Sequence, residues 1–204
     1  MKKSLFLIRR RLLVVPAVAM ASGLLASCAP EKPKFGSVDI TGAEYARDFS
    51  LKDHNGRPRS LKDFRGQIVA VFFGFTHCPE VCPTTMAEMA EIKKLLGPDG
   101  NKLQAILITV DPQRDTPEVL KAYMGNFDPT FLAMSPNPQE LAAVAKEFKI
   151  YYKKVEGRTP SSYSMDHTAG TYIFDTQGRI RIYGRYGSGA PALAADIRLL
   201  LKEA

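Results

Sequence analysis

The chain has 204 residues, with 28 Lys and Arg against 21 Asp and Glu, a formal net charge of +7, and 45% hydrophobic residues. Five of the basic residues (Lys2, Lys3, Arg9, Arg10 and Arg11) fall in the first 27 positions, where there is no acidic residue, leaving 23 basic against 21 acidic over the remainder. The positive balance belongs to the N-terminus, so the electrostatic case for a nucleic-acid partner is lost, and the composition excludes both a disordered chain and an integral membrane bundle.

Residues 1–27 read as an export signal: a basic region through Arg11, an apolar run from Leu12 to Leu25, then Ala26-Ser27-Cys28. An apolar run of that length is too short for a stable span of a bilayer roughly 30 Å thick. Leu25-Ala26-Ser27-Cys28 looks like a lipobox, whose cleavage would leave Cys28 as a lipidated N-terminus on the periplasmic side of a bacterial membrane. An uncleaved signal anchor is the alternative. Residues 28–46 read as the lipidated N-terminus and a flexible tether, the stretch from Ala29 to about Ala46 being rich in Pro, Gly, Lys and Glu, about 18 residues that reach on the order of 60 Å extended and roughly 23 Å as a coil. Residues 47–204 form the predicted domain.

That domain opens with a hairpin, since His54-Asn55-Gly56 separates two short runs and Asn-Gly favours a type I′ turn. Gln67 to Phe75 is a nearly continuous apolar run, as expected of a strand buried on both faces. The turn Thr76 to Pro83 follows, then a helix with Met86, Met89, Ile92 and Leu96 on one face. Lys102 to Val110 is a second strand, and Thr116-Pro117-Glu118 starts a second helix. Phe131 to Met134 is a short strand, and Asn137 to Glu140 caps a third helix burying Leu141, Val144, Ala145 and Phe148. The segment Tyr151 to Ser164 reads as irregular. Strands Thr171 to Phe174 and Arg179 to Tyr183 follow, then a final helix carrying Leu193, Ile197 and Leu200. This order fits an α/β, thioredoxin-like fold: a central mixed sheet with helices on both faces and an N-terminal β-hairpin.

The chemistry concentrates in the turn after the first long strand, where sites of open α/β sheets gather. With Cys28 taken up by lipid, Cys78 and Cys82 remain as a pair in an exported protein. Their Cys-x-x-x-Cys spacing at a helix N-terminus puts two sulfurs on one face, where the helix dipole favours thiolates. Chelation of a soft ion, a redox disulfide and a permanent staple all remain open on spacing alone. Of three histidines, His54 reads as a surface residue and His77 as pointing away from its neighbour Cys78. His167, in Met165-Asp166-His167-Thr168, is the candidate third ligand, with a hydrogen-bonded structural role as the alternative. Asp111 and Asp115, beyond the second strand, read either as helix N-terminal charge or as support for the site. Met86 and Met89 read as core, and Met165 as a weak ligand candidate.

Phe72-Phe73-Gly74-Phe75-Thr76-His77-Cys78-Pro79-Glu80-Val81-Cys82-Pro83, followed by Thr109-Val110-Asp111-Pro112-Gln113-Arg114-Asp115-Thr116-Pro117 and then Asp166-His167, closely resembles the SCO/SenC family of copper proteins. The resemblance runs from about residue 47 to the C-terminus. It implies a thioredoxin-like, membrane-tethered domain that binds copper through Cys78, Cys82 and His167 and delivers it to the copper A-bearing subunit of cytochrome c oxidase. Other periplasmic copper chaperones are further candidate partners. Many relatives use a transmembrane helix, whereas this sequence looks lipidated. Two thiolates with an imidazole suit Cu(I), with Cu(II) as a further state, while a closed zinc site would need a fourth protein ligand that the sequence does not offer. A non-enzymatic metallochaperone is therefore the leading expectation. A thiol-disulfide oxidoreductase keeping a partner's copper-site cysteines reduced is the alternative, and a thioredoxin-fold peroxidase is disfavoured.

Overall fold

The structure, a computed structural model, describes residues 33–159 and 162–203. Its elements in chain order are β1 (Val38–Asp39), β2 (Leu51–Lys52), β3 (Pro58–Arg59), β4 (Ile68–Gly74), α1 (Val81–Leu95), β5 (Leu103–Thr109), α2 (Pro117–Gly125), β6 (Leu132–Met134), α3 (Pro138–Glu147), β7 (Tyr152–Val155), β8 (Ser164–His167), β9 (Thr171–Phe174), β10 (Ile180–Gly184) and α4 (Ala190–Lys202). The expected signal peptide and Cys28 lie outside the described residues.

Every residue of β4 and β5 is buried, so neither has a polar face to turn to water and both need cover above and below. They lie in a six-stranded sheet of order β1-β10-β9-β4-β5-β6, with β4, β5 and β6 parallel and β9, β10 and β1 antiparallel. This is the expected thioredoxin-like mixed sheet. Crossover helices α1 and α2 connect the parallel strands, as a parallel pair requires. Met86, Met89 and Ile92 of α1 are buried, as are Leu141, Val144, Ala145 and Phe148 at α3. Asn137 caps α3 reciprocally with Glu140, and Thr116 accepts from Val119 N at the start of α2.

The structure corrects four expectations. First, residues 34–46 are not a free tether. Val38 and Asp39 pair with Tyr183 and Ile182 at the sheet edge, Ala46 is fully buried, and the backbone N–H groups of Gly36 and Ser37 donate to the buried Asp196 carboxylate at 2.8 and 2.9 Å. The compact unit starts at Lys34. Second, the β2–β3 hairpin does not use a type I′ turn. That turn needs positive φ at both central residues, and Ala46 and Lys149 are the non-glycine residues with positive φ among those described. Instead, Asp53 accepts from Asn55 N and Arg57 N, while Gly56, at φ 78°, closes the turn onto Asp53 O. The same Asp-x-x-Gly-Arg-x-Arg solution recurs at Asp175 to Arg181, where Asp175 accepts from Gln177 N and Arg179 N.

Third, His54 is half-buried rather than a surface residue. It is stitched to β6, its N donating to Ala133 O and its Nδ1 accepting from Ala133 N at 3.1 Å. Fourth, the segment Tyr151 to Ser164 is not structureless. Tyr152 to Val155 pairs antiparallel with Ser164 to His167, forming a two-stranded sheet separate from the central one.

The Asp196 anchor predicts the true domain boundary. A chain starting at residue 47 loses the β1 edge and leaves Asp196 without its two N–H donors, a loss of about 1–3 kcal/mol from that carboxylate alone. Its thermal midpoint, followed by circular dichroism, is expected several degrees below that of a chain starting at Lys34.

Candidate metal centre

β4 delivers the cysteine turn. Its last residue, Gly74, pairs with Thr109 of β5 and is followed by Phe75, Thr76, His77 and then Cys78. A Cβ at Gly74 would lie 2.8 Å from Cys82 Sγ and 2.7 Å from Phe72 Cε1, so only glycine leaves room for the second cysteine to tuck against the strand. Cys82 is the second residue of α1 and fully buried, whereas Cys78, ahead of the helix, is partly exposed. The backbone N–H of Cys82 points at Cys78 Sγ at 3.4 Å, so a free donor of the helix N-terminus meets that sulfur. Both cysteines are free thiols.

β8 delivers the imidazole. His167 Nε2 lies 3.6 Å from Cys82 Sγ, and one ligand atom from each of Cys78, Cys82 and His167 fits within a 4.8 Å separation. The ring is held between Phe72 and Phe75, both edge-on, with centroids 5.9 and 5.8 Å away. Its Nδ1 lies 3.1 Å from Thr168 O. A carbonyl only accepts, so Nδ1 carries the proton and the Nε2 lone pair faces the sulfurs. Burial lowers the His167 pKa, partly opposed by the Thr168 carbonyl and Asp166, which keeps the imidazole neutral and able to bind a metal. Burial also pushes the Cys82 thiol far up, with the Phe75 backbone partly offsetting it, so at neutral pH this sulfur holds its proton until something replaces it.

The segment after β5 holds the other two expected residues, and neither is in the ligand cluster. Asp115, fully buried, accepts from Thr76 N at 3.1 Å, Thr76 Oγ1 at 2.5 Å and Thr109 Oγ1 at 2.6 Å, fixing the cysteine turn to the end of β5. Asp111 accepts from Tyr163 Oη at 2.8 Å and is paired with Arg114 Nε. Sequence reasoning missed Thr76, Arg114 and Tyr163. An arginine three residues after one buried aspartate and next to another was the available signal. The hydroxyl of Tyr123, on α2, is buried without a hydrogen-bond partner. His77 is exposed, its Nδ1 3.2 Å from Thr76 Oγ1, and stands outside the cluster. Met165 shares the core-facing side of β8 with His167.

A family model described as SCO1/SenC matches residues 38–202. The chain belongs to the SCO1/SenC family. It is 37% identical over 159 residues to the SCO2-like protein of Rickettsia felis, covering 76% of this chain and 78% of that relative. Among solved structures, ScoI of Bradyrhizobium japonicum with copper bound is 40% identical, covers 76% of this chain and 98% of its own, and superposes with a TM-score of 0.69. Yeast Sco1 with copper bound is 25% identical, with 84% and 91% coverage and a TM-score of 0.70.

The unequal burial of the sulfurs makes a direct prediction for this SCO1/SenC chain. Limited alkylation of the reduced protein at neutral pH is expected to modify Cys78 and spare Cys82 until the chain unfolds, because only an exposed thiolate reacts. Peptide mass spectrometry reads the order, and equal labelling of both sites in the folded protein would contradict the packing of Cys82.

Proposed function

We propose that this chain carries copper. It binds one ion through Cys78 Sγ, Cys82 Sγ and His167 Nε2 and delivers it, from a bacterial envelope membrane, to the copper A-bearing subunit of cytochrome c oxidase. The observation that carries the reading is the approach of His167 Nε2, its lone pair turned toward the sulfurs, to a buried sulfur from a distant part of the chain. The donor set fits the cargo. Two sulfurs and an imidazole suit Cu(I), and no fourth His, Cys, Asp or Glu joins the cluster among the described residues, as a closed tetrahedral zinc site would require. The imidazole also serves Cu(II). Copper is bound in the Bradyrhizobium japonicum ScoI and yeast Sco1 structures, in support of the same cargo here.

The unequal exposure of the donors supports delivery. Cys78 is the donor that solvent reaches, so an incoming partner ligand enters on its side, and Cys82 and His167 let go last. Three-coordinate copper leaves room for such an exchange, which a closed four-ligand site would not.

A second reading has its own observation. A partly exposed thiol beside a buried one is the arrangement of an attacking and a resolving cysteine, so the pair also suits a reductase that keeps a partner's copper-site cysteines reduced. His167→Ala separates the two. Loss of one of three direct donors is expected to weaken copper binding by more than the roughly 10–100-fold typical of residues behind the ligands, while Cys78–Cys82 disulfide exchange continues. Anaerobic competition titration with Cu(I) measures the first and a redox titration the second. Wild-type copper affinity in His167→Ala would overturn the three-donor site.

For the anchor, we propose lipidation at Cys28. Among the described residues no helix is long and apolar enough to cross a membrane. With the compact unit starting at Lys34, the leash from Cys28 is six residues, reaching about 20 Å at most, so the domain works close to its membrane. Cys28→Ser is expected to release the domain or trap its precursor in fractionated cells. Normal processing with unchanged membrane retention would contradict it.

A further inference from the structure

We infer that Arg114 and Tyr163 are positioning residues for the third donor, a latch that holds the β7–β8 hairpin where His167 meets the two sulfurs. The inference rests on the copper reading above. It starts from an imbalance in the fold: Cys78 and Cys82 stand at the end of a fully buried central strand, whereas His167 ends a two-stranded sheet that pairs with no strand of the central one. An isolated pair of strands is marginally stable by itself. Something outside the hairpin must fix it.

At the His167 end the hairpin is closed by local bonds, Thr168 N donating to Tyr151 O and Tyr151 N to Thr168 Oγ1, both at 3.0 Å. At the other end stands Tyr163, immediately before β8. The Arg114 guanidinium lies over its ring at 3.6 Å, Arg114 Nη1 donates to Tyr163 O at 2.9 Å, and Tyr163 Oη donates to Asp111 at 2.8 Å. Lys154 of β7 reaches the same ring, 4.3 Å from its centroid, so both hairpin strands converge on this tyrosine. Arg114 in turn is held by Asp111, whose carboxylate is almost wholly buried. The guanidinium also lies 5.8 Å from the Phe75 ring, which is itself edge-on to His167. Arg114 therefore touches the support of His167 twice, through the hairpin and through the aromatic wall.

The consequence is thermodynamic. A donor already in place adds its full bond to the affinity, while a donor that must first be ordered adds less. With the latch intact copper is held by three donors. With it broken, Cu(I) falls back on the two sulfurs, a coordination it accepts.

The test is a double-mutant cycle on the reduced full-length chain, with Cu(I) affinity measured by anaerobic chelator competition. Arg114→Ala is expected to weaken binding by about 10-fold or more, and Tyr163→Phe, which keeps the stack and loses the Asp111 bond, by less. Neither loss is expected in a His167→Ala background, because the latch acts only through that histidine. The Cu(II) thiolate charge-transfer spectrum of Arg114→Ala should move toward that of His167→Ala. Arg114→Lys, which keeps the charge without the planar fork, should not restore binding. Equal losses from Arg114→Ala with and without His167, or full affinity in Arg114→Lys, would overturn the latch while leaving the copper reading intact. If Arg114→Ala fails to fold, Tyr163→Phe and Arg114→Lys complete the cycle. A wild-type chain that takes up no Cu(I) would overturn the copper reading and this inference with it.

Discussion

The carboxylate of Asp115 sits without solvent contact between the ends of two parallel strands, and the geometry of the site descends from it. A buried carboxylate costs several kcal/mol unless donors surround it. Here Thr76 supplies its N–H and hydroxyl and Thr109 its hydroxyl, so the charge is tolerated only while the residues after β4 and the last residue of β5 stay together. Val110 N donating to Gly74 O at 2.8 Å closes the same joint from the backbone. Cys78 is two residues beyond Thr76, so its path out of the sheet is set by this joint. Four residues before Asp115, Asp111 faces the hairpin that brings His167. One five-residue segment thus holds both halves of the candidate site, one at each end.

What the sequence made legible follows from the same physics. Strands buried on both faces leave continuous apolar runs, so β4 and β5 were readable to within a residue or two, and a cysteine pair at a helix N-terminus is readable from spacing. The two-residue β1 carries no periodic signal, since its strand character comes from Tyr183 and Ile182 opposite it and from the distant Asp196. β7 and β8 were illegible for a different reason. Tyr152-Lys153-Lys154-Val155 and Ser164-Met165-Asp166-His167 bury little, and their pairing shows only once the chain between them has turned. The type I′ expectation at Asn55-Gly56 failed because Asp53, two residues earlier, captures the turn with its own carboxylate, which dipeptide statistics do not register. Arg114 and Tyr163 stayed hidden because their roles are mutual, and neither residue type signals anything alone.

The buried thiol of Cys82 and the imidazole of His167 satisfy each other. Cys82 sits 3.6 Å from a histidine nitrogen whose proton is committed to the other side of the ring, so the thiol hydrogen points at Nε2 and neither atom is left without a partner. On the proposed copper reading, the ion would take the place of that proton, and the donors it requires are those the contact already brings together. The burial that raises the Cys82 thiol pKa also excludes water, and on the same proposal it would strengthen the electrostatic part of a sulfur–copper bond. Cys78 stands apart from this buried pair, on the solvent side and against a helix N-terminus. On the proposed reading the site divides into two donors that hold and one solvent-side donor that exchanges, a division suited to transfer without exposing the ion to water on every side.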